Sequence, residues 1–241
     1  MCNTREWDKK SKENIFDFIF EMAFRDATLR NAFVNPYKSK NKRERKTGKE
    51  SEKQAENDFE ELKNNIKEYT KEPIKKYLES ILGDKKADLN HCKYQCMLDV
   101  FNGVNNFNKQ INEKDSKHKG FTFGNIQKLV NMSAKYLYIA CYANPEMRTR
   151  FVFCDCPMDS IMIKGVVSEA GRNKFERLRK ETSWSSLAIT DGNNTEIKKI
   201  IDLIPKEYVE FQQWIRKNKY EYENVLDFDF RKWPGWSKKF R

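Results

Sequence analysis

Apolar residues fall three and four apart along most of the chain, as at Ile15, Ile19 and Met22 and again at Phe59, Leu62, Ile66 and Tyr69. That is the period of a helix with one buried face, and strand-like alternation is scarce. The pattern predicts helices at about 12–34, 52–69, 72–83, 88–111, 123–143, 157–168, 172–181 and 194–218, and an all-α fold. "NPY" at 35–37 and "ANP" at 143–145 end helices, because the residue before a proline is pushed out of the α region. One helix stands apart: "FGNIQKLVNMSAKYLYIACY", residues 123–142, is apolar almost all round yet carries Lys128 and Lys135 two turns apart on one face. Either their stems run along the core to put both ammonium groups in water, or one is held there for chemistry.

The first apolar stretch, Asn14 to Phe24, is interrupted by Asp17 and Glu21 and reads as an amphipathic helix, not a targeting segment. The longest apolar run, Tyr136 to Ala143, is eight residues, against the roughly 18–20 needed to span a bilayer. A cytoplasmic protein with no membrane contact and with reduced thiols is expected. A single domain is expected across all 241 residues.

Charge narrows the partner. Lys and Arg total 47 against 36 Asp and Glu, a net charge of +11, which attracts polyanions, nucleic acid above all. Two segments concentrate it. Residues 38–51 form a basic, flexible loop holding Lys42, Arg43, Arg45 and Lys46, available for phosphate contact. The tail 228–241 interleaves basic residues with Trp233, Trp236 and Phe240, which suits a nucleic-acid backbone plus stacked bases or packing onto the domain.

Metal and histidine chemistry find little support. Cys92, Cys96, Cys154 and Cys156 could supply four thiolates, but their spacings lack the C-x2-C knuckle of zinc sites, and they read as small buried hydrophobes. His91 and His118 lie in no catalytic motif. A more specific signal follows the lysine-bearing helix, where Pro157-Met158-Asp159 opens the next one. Asp159 is placed to cap that helix through its backbone amides.

Gln127-Lys128, then Lys135, then Pro157-Met158-Asp159, with a lysine-to-aspartate separation of 159 − 128 = 31, resemble the active-site signature of the helix-hairpin-helix DNA glycosylases. The resemblance is closest to the archaeal 8-oxoguanine DNA glycosylase family and extends from about residue 15 to 218. It implies two helical lobes around a central cleft, double-stranded DNA as partner, no cofactor or metal and a monomer. It also implies Lys128 as nucleophile and Asp159 as its electrostatic and acid–base partner. A base pocket of Thr28, Phe59, Met132, Lys135, Glu210 and Trp214 is implied, with DNA contacts at Lys119, Gly124, Asn125 and Gln127. Thr28 and Phe59 stand where the family has glutamine and tryptophan, so the pocket is wider. "KGFTFGNIQ" replaces the usual glycine-rich hairpin.

In such an enzyme the nucleotide is rotated out of the duplex and held against aromatic walls. Lys128 attacks the anomeric carbon while the carboxylate of Asp159 stabilises positive charge on the sugar. Lys135 either lowers the pKa of Lys128 by repulsion or contacts the base. A wider pocket could take a bulky hypermodified base such as glucosylated hydroxymethylcytosine, which would make the protein an antiviral factor. A non-catalytic nucleic-acid-binding protein is the alternative of a different class, carried by the net charge.

Overall fold

Every regular element among the described residues of the computed structural model is helical, and those residues are 8–28, 49–83, 88–114, 121–171, 175 and 204–240. The elements are α1 (Lys9–Thr28), α2 (Lys49–Leu82), α3 (Leu89–Lys114), α4 (Phe123–Ala140), α5 (Pro145–Arg148), a 3-10 turn (Thr149–Phe153), α6 (Ser160–Ala170), α7 (Lys206–Asn218) and α8 (Val225–Phe240). Among the described residues no helix is long and apolar enough to cross a membrane. Lys42, Arg43, Arg45 and Lys46 of the basic loop, Lys119, and nearly all of the predicted helix at 172–181 lie outside the described residues.

α4 is the central strut. α1 packs along one side of it and α3 along another, with α2 against α3. Ile126, Leu129, Val130, Ala134, Leu137 and Tyr138 are fully buried, covering about half of the helix circumference. Burying each large apolar side chain is worth about 1.5–3 kcal/mol, so this helix is held by packing far more than by propensity.

Two helices contain prolines. α2 runs unbroken from Lys49 to Leu82 through Pro73, where separate helices were expected at 52–69 and 72–83. The proline forfeits one backbone hydrogen bond, at a cost of about 3 kcal/mol. Burial of Ile66, Ile74, Tyr77 and Leu78 on the same helix exceeds that cost. The segment 228–241 is likewise a helix through residue 240, not a free tail, and it contains Pro234. Val225, Leu226, Phe228 and Trp236 face inward, so Trp236 is committed to the core and is not offered to a base.

Trp236 docks on α6 where Gly165 leaves room. A Cβ at Gly165 would stand 2.0 Å from Trp236 Cε3. On helix propensity alone Gly165→Ala would stabilise by about 0.5–1 kcal/mol. Overpacking against a fixed indole reverses the sign, and we expect a net loss of about 1–3 kcal/mol, read as a lower urea midpoint at unchanged m value.

A buried ionic knot ties the two halves of the chain. Asp155, 1 % exposed, accepts from Lys93 Nζ at 2.8 Å, from Tyr208 Oη at 2.8 Å and from the Arg216 guanidinium. Asn131 of α4 donates to Tyr208 Oη at 2.9 Å, and Lys93 also donates to the Phe153 carbonyl at 3.1 Å. Burial works against the Asp155 charge, but Lys93 and Arg216 outweigh it and hold the carboxyl below its ordinary range. At Lys93 burial wins and lowers the ammonium, because Lys93 shares a single carboxylate with Arg216. The surrounding cysteines are neutral thiols: burial pushes Cys154 up to about 11 and Cys96 and Cys156 well above the usual range.

Candidate functional site

The N-terminus of α4 fixes the register of the site. Thr122 caps the helix, and Asn125 reaches back so that its Oδ1 accepts from Thr122 N at 3.0 Å and from Thr122 Oγ1 at 2.8 Å. The Asn125 amide donates across to the Ala27 carbonyl at 2.9 Å, which joins the last turn of α1 to the first turn of α4. Thr28 therefore lies beside this junction, its hydroxyl donating to Phe24 O at 2.7 Å.

Two glutamines grip the segment that leads to Asp159. Gln127 donates through Nε2 to Met158 O at 2.9 Å and accepts at Oε1 from Met158 N at 3.1 Å. Gln212, from α7, does the same to Cys156, accepting from its N–H at 2.9 Å and donating to its carbonyl at 2.7 Å. Each side-chain amide offers one acceptor and two donors and so satisfies a backbone N–H and C=O as a neighbouring strand would. The residues gripped are alternate ones, which suits extended backbone. The sequence-based assignment of Gly124, Asn125 and Gln127 to DNA contact is corrected here: all three are buried, and both amide side chains are spent inside the protein.

Beyond the clamp, Asp159 caps α6, its Oδ1 accepting from Ile161 N at 2.9 Å and Met162 N at 2.8 Å. Its Oδ2 accepts from the indole N–H of Trp233, on α8, at 3.1 Å. The capping expectation is thus met, and Asp159→Ala should cost about 1 kcal/mol, with Asp159→Ser, which keeps a cap oxygen, recovering most of it in urea unfolding.

On α4, Lys128, Met132 and Lys135 form a partly open stripe at i, i+4 and i+7 between buried faces. Lys135 is not a free charge repelling Lys128. Its Nζ lies 2.6 Å from Asp229 Oδ2, a carboxylate 1 % exposed that α8 supplies. Burial alone would lower the Lys135 ammonium, but Asp229, with help from Cys156 and Asp159, holds it above the ordinary lysine value. At Asp229 the balance falls the other way: burial raises the carboxyl more than Lys135 lowers it. The close approach at 2.6 Å favours the ionised pair, since the ammonium is the counter-charge a buried carboxylate requires.

The remaining pocket candidates divide. Trp214 is buried, 8 % exposed, on the inward face of α7 beside Phe211. Glu210 is exposed and pairs with Lys206 at 3.6 Å on the surface. The side chain of Phe59 lies outside the described residues. Gln212, Asp229 and Trp233 went unrecognised as site residues. A buried glutamine has no sequence signature, and the two α8 residues sit in a segment read as a tail. A surface cavity of about 330 Å³ between the start of α1 and the end of α2, lined by Lys9, Lys12, Phe16, Lys75, Glu79 and Leu82, shares no residue with this region.

An amine can form a covalent imine at a carbonyl or sugar carbon, and an oriented carboxylate can stabilise positive charge that develops beside it. No known protein family, curated protein or solved structure matches the chain.

Proposed function

We propose that the protein is a DNA N-glycosylase with associated lyase activity, built as two helical lobes around a cleft and acting on DNA that carries an altered base. The observation that supports this most directly is the two-bond clamp between Gln127 and Met158, because the residues next to them in the chain are Lys128 and Asp159. Gln127 and Met158, 31 positions apart, are held together by buried amide chemistry, which supports a convergence of the chain neighbours Lys128 and Asp159. The net charge of +11 supplies the attraction for a phosphate backbone.

In the reaction, the neutral amine of Lys128 attacks C1′ of the extruded nucleotide. The N-glycosidic bond breaks, the base leaves with the bonding electrons and takes up a proton, and ring opening gives a Schiff base with the lysine. The Asp159 carboxylate stabilises the positive charge that develops on the sugar, as a carboxylate does in glycoside hydrolysis. Lys135, engaged by Asp229, is assigned to the pocket wall and not to nucleophilic attack.

The test is incubation of the protein with duplexes carrying a panel of altered bases, including 8-oxoguanine and glucosylated hydroxymethylcytosine, in the presence of borohydride. The expected result is release of one base class and a reduced, covalent protein–DNA adduct. Absence of both adduct and abasic sites across the panel, with salt-sensitive DNA binding retained, would assign the protein to non-catalytic nucleic-acid binding instead.

A further inference from the structure

Asp229, Trp233 and Trp236 lie at i, i+4 and i+7 on α8, one stripe of one helix. Trp236 is seated in the notch at Gly165 of α6, Trp233 donates to Asp159 at the N-terminus of α6, and Asp229 meets Lys135 of α4. Three contacts along a single face therefore fix this helix against the two elements that carry the candidate lysines and aspartate.

We propose that Trp233 is a positioning residue that sets the orientation of the Asp159 carboxylate, making the C-terminal helix a working part of the site. The proposal rests on the glycosylase reading for its catalytic consequence, but the contact itself stands apart from it.

Capping alone does not explain the arrangement. A cap needs one oxygen, and Oδ1 already takes both the Ile161 and Met162 amides. A carboxylate held through Oδ1 alone can still tilt about that point. The indole N–H on Oδ2, at 3.1 Å, removes this freedom through a charge-assisted hydrogen bond from a rigid donor. The donor is itself immobilised, because Trp236 one turn later is buried, 8 % exposed, and Asp229 one turn earlier is ion-paired. Lys135 is near enough to interact with Asp159, and its capture by Asp229 keeps that ammonium from competing for Oδ2.

Two measurements test this. The first needs no substrate: the indole resonance of Trp233 in a proton–nitrogen correlation spectrum, assigned by its loss in Trp233→Phe, should move upfield in Asp159→Ser. That variant keeps the cap oxygen but has no second oxygen to accept from the indole. An unmoved resonance overturns the positioning role whatever the protein does to DNA. The second uses an excised base found with the panel: Trp233→Phe, which keeps a packed ring and removes the N–H, should lower kcat roughly 10- to 100-fold with KM unchanged, as expected when a reacting group is displaced by a fraction of an ångström. Unchanged kcat overturns the proposal. If wild type releases no base while the indole resonance shifts, the glycosylase reading fails and the Trp233–Asp159 device survives. If Trp233→Phe does not fold, the spectrum of Asp159→Ser decides alone.

Discussion

On the proposed reaction, Lys128→Ala is expected to abolish the borohydride-trapped adduct and to lower base release by on the order of 10³-fold or more. Removing the amine deletes the bond-forming atom, and an abasic product can then arise only through water attacking a site shaped for a lysine. A 10³-fold loss corresponds to about 4 kcal/mol of transition-state stabilisation. The variant should fold normally, because Lys128 is half-buried on the open stripe of α4 and the helix is held by residues on its other faces. DNA affinity should change little, since one charge in a net +11 is lost. Quantitative trapping alongside thermal unfolding and binding at fixed salt separates these outcomes. Undiminished trapping in Lys128→Ala would move the nucleophile elsewhere and remove the basis of the proposed reaction.

The largest effect on stability should come from a site with no part in the chemistry. Asp155→Asn leaves Lys93, fully buried, without its counter-charge, and removing one partner of a buried pair costs about 3–5 kcal/mol. That is a large share of the roughly 5–15 kcal/mol that holds a domain folded. The effect carries a pH signature. The Asp155 carboxyl lies below its unfolded value, so it adds stability that is complete above about pH 4 and is lost as acid carries the pH down through the folded value. Wild type should lose stability across that window, and Asp155→Asn should lack this component. In the variant the Lys93 ammonium is depressed further, and the folded state sheds its proton before the unfolded chain does. The variant should therefore recover as pH rises towards about 10, which urea midpoints at neutral and alkaline pH would reveal. Equal midpoints for wild type and variant at neutral pH would show that Arg216 and the Phe153 carbonyl suffice for this cluster.

The path to Asp159 shows where reading a chain succeeds and stops. The helical period at 123–142, the cap position at Asp159 and the lysine stripe could be read directly, since each depends on neighbours within two turns. Gln127 could be read only as a polar residue on an apolar helix, and its assignment to DNA was wrong because the backbone it serves is 31 residues away. Basic residues interleaved with Trp233, Trp236 and Phe240 suggested a tail; burial of Phe228 and Trp236 made that stretch a helix and brought Asp229 and Trp233 to the site.

Period and composition were enough to predict helices throughout the described residues, a strongly basic chain and a lysine and aspartate at a telling spacing, because those properties reside in local order and in sums. Which polar groups are buried together was settled by packing alone. A repeat of apolar positions says which face of a helix must be covered but not by what, so the partners Lys135 and Asp229, Asp159 and Trp233, and Cys156 and Gln212 exist only once the helices have closed on one another.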